Sequence, residues 1–199
     1  MSKVPNIIFL DIDGVLNHHK FYSERYKREL NSEPNNLDKL SLDNENIYSE
    51  VESYSHVDKL KYNIESVDFN TVKLFNELCK DTNSKVVISS TWRSHGLDYM
   101  RLFFKTLGCD FDIIGLTPHF NRNESCRGME IQSFIRDYLC DKLELDVSLA
   151  WNFRRYVIID DDSDMLYNQR NNFFHVDSCN GLSSNHCYKI TNFFKSFSL

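Results

Sequence analysis

The sequence predicts an α/β protein, a three-layer sandwich with a mostly parallel central sheet and a small insertion after the first strand. Two observations predict this class. Apolar runs of strand length alternate along the chain with stretches of helical periodicity, which implies right-handed crossovers between parallel strands. Several of those runs end in carboxylates or hydroxyls, as strands do where a ligand sits at a sheet's carboxyl edge. The 199 residues, 41% of them hydrophobic and 14% aromatic, suffice for one domain with a real core over 1–199.

The elements follow in order. Residues 4–10 read as a strand. Residues 68–80 read as a helix, with Asp68 as N-cap and Phe69, Val72, Phe75, Leu78 and Cys79 near helical spacing. Residues 85–89 form a second strand. A helix over 97–107 carries Leu97, Met100, Phe103, Phe104 and Leu107 and stops at Gly108. Residues 111–115 give a third short strand. Residues 129–140 place Ile131, Phe134, Ile135, Tyr138 and Leu139 on one helical face. Residues 156–159 and 173–176 supply two more strands, and 188–197 a closing helix. Residues 18–66 are polar, rich in Asn, Ser, Glu and Lys, and too long for an ordinary connection. They read as an insertion with some short helices, either a small cap or lid near the site or a surface excursion.

The bulk numbers exclude several classes. A net charge of −6 argues against a broad nucleic-acid or anionic-membrane face. No apolar run approaches the roughly 18–20 residues of a membrane span. The N-terminus lacks an apolar stretch ahead of a small-residue cleavage site, so no signal peptide is expected. The six cysteines show no C-x-x-C and no zinc-finger spacing, which suits free thiols in a reducing, cytoplasmic compartment. None has an Arg six residues on, which excludes a cysteine-nucleophile phosphatase.

The most informative run is Asp11-Ile12-Asp13-Gly14, directly after the apolar Ile7–Leu10. A buried strand-end carboxylate is costly unless paired, protonated or bound to a metal. Gly14 lets the chain turn sharply, so that both carboxylates converge on one small ligand. In isolation the pair would read as a turn or helix cap. Two further strand ends and one helix start change that. The second strand runs into Ser89-Ser90-Thr91-Trp92-Arg93, whose hydroxyls, amides and guanidinium suit a phosphate. The fourth ends in Asp160-Asp161-Asp162-Ser163-Asp164, oxygen donors of the kind Mg²⁺ takes. Arg127-Gly128 precedes the 129–140 helix and brings a cation near these acids if the sheet is parallel. His18 and His19 read as surface residues, and Trp92 as core.

These motifs, in this order, resemble the haloacid dehalogenase (HAD) superfamily in its phosphate-handling branch. The wording VISSTWR, RGMEI and VIIDDD is similar to compact members with small caps or none, including HAD domains of RNA-repair-like proteins. The resemblance implies a Rossmann-like fold and assigns roles residue by residue. Asp11 would be the nucleophile that forms an aspartyl-phosphate, and Asp13 the general acid and base. Ser89 or Ser90, in a register the sequence leaves open, would hold the phosphate together with Arg127, for which Arg93 is the runner-up. Mg²⁺ would be held by Asp11, the Asp13 main-chain carbonyl, and Asp160 or Asp161. The expected activity is a Mg²⁺-dependent phosphomonoester phosphatase. An open site suggests a phosphate on a macromolecule, a protein being favoured and phosphotyrosine the guess. A nucleic-acid end is the alternative, and a catalytically silent binding module the alternative of another class.

Overall fold

The computed structural model describes residues 4–30, 54–121, 125–142 and 152–197, together with 144, 146, 148 and 150. Strands β1 (Asn6–Leu10), β2 (Ser84–Ile88), β3 (Ile113–Leu116), β4 (Tyr156–Asp160) and β5 (Phe173–His175) form one sheet in the order β3-β2-β1-β4-β5. Every pairing is parallel. Six α-helices flank it among the described residues: α1 (His19–Leu30), α2 (Tyr54–Glu65), α3 (Phe69–Thr82), α4 (Leu97–Thr106), α5 (Arg127–Asp137) and α6 (Ser184–Lys195). The expected α/β three-layer sandwich is what forms.

Alternation along the central strands divides the core. Ile8, Leu10, Val86, Ile88, Val157 and Ile159 face α2, α3, α4 and α6. Ile7, Phe9, Val87, Tyr156 and Ile158 face α5 through Ile131 and Ile135. Strands buried on both faces are apolar nearly throughout, which is why they read as continuous runs rather than alternating ones. Phe9 anchors the smaller layer with edge-on contacts to Phe134 and Tyr156 at 5.7 and 5.8 Å.

The element bounds differ from expectation in instructive ways. Gly108 ends α4 at φ +76°, as its position predicted. β3 begins at Ile113 because Phe111 instead packs on Phe75 and Phe104, 5.2 and 5.0 Å away. α6 starts at Ser184, four residues ahead of the expected 188, through a capping box between Ser183 and His186. α5 continues into a π turn over Tyr138–Lys142.

The polar insertion does contain helices, α1 and α2, while 31–53 lie outside the described residues. α1 buries no residue, whereas Leu60 and Ile64 of α2 enter the larger core layer. His18 is not a surface residue. It is buried, its Nδ1 accepts the Phe21 amide at 3.1 Å, and its Nε2–H therefore donates to Asp68, 3.2 Å away. Asp68 caps α3 as predicted by accepting from the Asn70 amide at 2.9 Å. The same carboxylate thus fastens the start of α3 to the segment that follows the Asp11–Gly14 motif.

All six cysteines are free thiols. Among the described residues no helix is long and apolar enough to cross a membrane. One prediction follows from the doubly used cap. Asp68→Ala should destabilise the protein by about 2 kcal/mol in urea unfolding, more than the ~1 kcal/mol of a lost cap, because His18 is left without its acceptor.

Candidate active site

The register of β1 against β4 pairs Leu10 with Ile159, so the next residues of both strands, Asp11 and Asp160, emerge side by side. The Asp11 amide continues the ladder to the Ile159 carbonyl at 3.0 Å, and the Ser89 amide continues it to Leu10 at 2.8 Å. Three strand ends thereby meet at one cavity of about 390 Å³, lined among others by Asp11, Asp13, Thr91, Arg93, Arg127 and Asp161.

Asp11 is 6% exposed and Asp160 fully buried. One carboxylate oxygen each from Asp11, Asp160 and Asp161 lie within 4.8 Å of one another. Asp160 Oδ1 accepts the Asp162 amide at 2.9 Å, but its buried Oδ2 has no hydrogen-bond partner among the described residues. Burial pushes the carboxyl of Asp11 up despite the Arg127 guanidinium and the Ser90 hydroxyl. Burial, then the charge of Asp11, push Asp160 up as well. Asp161 is raised mainly by burial. A cluster of acids that resists ionisation, with an unpaired oxygen facing it, is the donor set of a hard divalent cation.

Gly14 makes the cluster possible. It sits at φ +74°, and a Cβ there would lie 2.2 Å from an Asp161 carboxylate oxygen. Asp13 points elsewhere. Its carboxylate is exposed and accepts from Asn17 Nδ2 at 2.8 Å and from the Trp92 indole N–H at 3.0 Å. Asn17 in turn accepts the Gly14 amide at 2.9 Å. Asp13 thus lies outside the three-acid cluster while lining the same cavity.

The two serines differ in their surroundings. The Ser90 hydroxyl draws the Asp11 carboxyl down and accepts from the Trp92 amide. The Ser89 hydroxyl is buried without a partner among the described residues, and its carbonyl accepts the Arg127 guanidinium. The two candidate cations separate equally clearly. Arg127 Nε lies 3.8 Å from Asp160 Oδ2. Arg93 is instead held by both carboxylate oxygens of buried Glu130, at 3.0 and 2.8 Å, and by the Ser90 carbonyl at 3.0 Å. Glu130 neutralises Arg93, whereas Arg127 faces the acids.

The family described as "HAD domain in Swiss Army Knife RNA repair proteins" matches residues 7–187. The chain belongs to this family. It is a HAD-type phosphatase, a phosphoester hydrolase, and HAD domains generally use Mg²⁺. No curated protein and no solved structure is significantly similar to it.

Several residues of this HAD domain escaped the sequence reading. Asn17 and Trp92 hold Asp13, and Trp92 is half-buried on Phe103, at 5.5 Å, rather than fully within the core. Gln169, fully buried, accepts the Leu166 amide and donates to the Gly128 carbonyl, both at 2.9 Å. It clamps the start of α5, and so Arg127, to the acidic loop after β4. Asp164 adds to this by accepting the Arg127 amide at 2.9 Å. Glu130 had no local signal, because its partner Arg93 lies 37 residues away.

The raised carboxyls set a sign. In the metal-free protein the folded state holds protons that the unfolded chain releases near pH 4, so stability is present at low pH and lost as pH rises. The melting temperature of metal-free protein should fall between about pH 5.5 and about pH 8. Added Mg²⁺ should raise it, and more so at the higher pH, because the cation takes the deprotonated cluster. Asp160→Asn should raise the metal-free melting temperature near pH 8 and abolish the Mg²⁺ response, both read by scanning calorimetry.

Proposed function

We propose that this HAD domain is a Mg²⁺-dependent phosphomonoesterase that works through an aspartyl-phosphate on Asp11 and acts on phosphorylated nucleic-acid ends. The observation that carries the chemistry is the different surroundings of the two motif carboxylates. Asp11 clusters with Asp160 and Asp161 near Arg127, whereas Asp13 accepts hydrogen bonds from Asn17 and Trp92.

An Oδ of Asp11 attacks phosphorus as the ester P–O bond breaks, and Asp13 gives its proton to the leaving oxygen. A water then attacks the aspartyl-phosphate while Asp13 takes a proton from it. The P–O bond to Asp11 breaks, and inorganic phosphate leaves. Ser90 and Arg127 hold the transferring group by charge-assisted donation. Asp11, Asp160 and Asp161 would hold Mg²⁺, which supplies charge neutralisation for the attacking and transferring oxygens. Serving as base and acid in turn requires the Asp13 carboxylate to stay outside the cation's ligand set, which its bonds to Asn17 and Trp92 support.

The family's description, of RNA repair proteins, favours the nucleic-acid alternative over the phosphoprotein that the sequence reading put first. The neighbouring helices α1 and α2 serve in this reading as a small cap. Tyr22 of α1 stands close enough to Asp13 for its hydroxyl to feel that charge, while it donates to the Ser66 carbonyl at 3.0 Å.

Turnover of para-nitrophenyl phosphate with Mg²⁺, and its loss in EDTA, tests the chemistry. Asp11→Asn should lower kcat by more than about a thousandfold. Asp13→Asn should lower it by about 10²–10⁴. Wild-type turnover in Asp11→Asn would remove Asp11 as nucleophile. Phosphorylated oligonucleotides should exceed phosphotyrosine peptides in kcat/KM, and the opposite order would return the substrate to protein.

A further inference from the structure

A second cavity of about 390 Å³ adjoins the catalytic one, lined by Thr91, Arg93, Ser94, Leu116, Thr117 and His119. Three of these residues, Thr91, Arg93 and His119, also line the catalytic cavity, so the two spaces join across them. The chemistry of the second differs sharply from that of the first. No carboxylate lines it, and its one guanidinium is matched by Glu130 from behind. An anion therefore gains little there. What the walls offer is an apolar surface at Leu116, hydroxyls at Thr91, Ser94 and Thr117, and an imidazole.

The imidazole has a fixed role. Arg93 Nη2 lies 2.9 Å from His119 Nδ1, and a guanidinium can only donate, so Nδ1 accepts and Nε2 carries the proton. His119 is 67% exposed and lines both cavities. Thr117 supplies an independent sign. Its side chain is 3% exposed, and its hydroxyl has no hydrogen-bond partner among the described residues. A buried hydroxyl left unpaired is costly, and a ligand at the cavity wall would offset that cost.

The volume falls within the roughly 300–1,000 Å³ of small-molecule sites. A phosphomonoester tethers its alcohol to the transferred phosphorus through a single oxygen, so the alcohol must lie in a space contiguous with the phosphate site. An uncharged, flat group with hydrogen-bonding edges and an attached sugar matches these walls. We propose that the second cavity is the subsite for the terminal nucleoside bearing the phosphate. Thr117, Ser94 and the Nε2–H of His119 bond its polar edges, and Leu116 and the His119 ring pack on its faces. This rests on the nucleic-acid reading given above.

The test uses the full chain with Mg²⁺ and three substrates: oligonucleotides phosphorylated at the 3′ or 5′ end, a phosphotyrosine peptide, and glycerol phosphate. Ser94→Trp fills the cavity from an exposed position, and Thr117→Val removes one hydroxyl at nearly constant volume. The kcat/KM ratio of oligonucleotide over glycerol phosphate should fall about tenfold or more in Ser94→Trp and about fivefold in Thr117→Val, mainly through KM. Thermal melts establish that each variant is folded, and the milder Thr117→Val carries the test should the tryptophan disturb the fold. Equal wild-type turnover of oligonucleotide and glycerol phosphate would overturn the nucleic-acid reading, and the subsite with it. A wild-type preference for oligonucleotides that survives in both variants would overturn the subsite alone. Selective loss of phosphopeptide turnover would overturn it in favour of a pocket for a tyrosine ring.

Discussion

The structure is organised around the desolvation of two carboxylates on adjacent strands. Parallel pairing of β1 with β4 leaves Asp11 and Asp160 no choice but to emerge together, at a point where both faces of the sheet are already packed. At intermediate dielectric, two such charges about 4–6 Å apart repel by roughly 1–4 kcal/mol, before either pays for lost hydration. A divalent cation, or a shared proton in its absence, is the low-energy answer. The surrounding sequence is arranged to keep that answer available. Gly14 yields the space that the Asp161 carboxylate occupies, the Ser90 hydroxyl draws the Asp11 carboxyl down, and Arg127 stands 3.8 Å from Asp160.

Two arginines enter this end of the sheet, and their unequal fates shape the electrostatics. Were both unpaired, the positive charge would rival the acids and weaken their hold on a cation. Glu130 removes one of them, forming a buried ion pair in which Arg93 Nη2 donates to both carboxylate oxygens. The pair holds the turn after β2 to α5, so that Ser90 and Arg127 approach the acids from fixed elements. Gln169 does the corresponding task from the opposite side by tying Gly128 to the loop after β4. Gly128 is small for that reason, since a Cβ there would lie 2.4 Å from the Leu166 amide nitrogen. The catalytic geometry is thus over-determined by backbone contacts rather than left to long, exposed side chains.

How much of this was legible depended on whether a signal was local. Asp11, Asp13, Asp160 and Asp161 could be read because acids directly after an apolar strand contradict burial. The strands themselves were legible because burial on both faces leaves little but Ile, Val, Leu and Phe. The choice between Ser89 and Ser90 was not legible, since a one-residue slip exchanges the faces and nothing in the run marks where pairing ends. The choice between Arg93 and Arg127 needed Glu130, a contact across 37 residues. Asn17 and Gln169 left no trace because a polar residue in a polar loop looks solvated until its partner is known. The early start of α6 was hidden for a similar reason, because its cap bonds replace the apolar spacing that marks a helix.

The proposed function sets an acidic chain to work on a polyanion, and the distribution of charge reconciles the two. The net charge of −6 gives no long-range attraction to a phosphodiester backbone. In that reading, recognition of a nucleic-acid end comes from short-range contacts to its last residue. The terminal phosphate would meet Arg127 and the acidic cluster, and the attached nucleoside would enter the neighbouring cavity, whose one guanidinium is paired with Glu130. A domain built this way is poorly suited to binding along a strand and well suited to its end, where one phosphomonoester and one nucleoside carry all the information. Its affinity should depend only weakly on salt, because few phosphates are neutralised on binding. Chemistry confined to ends demands recognition confined to ends, and in this fold both follow from the same row of strand termini.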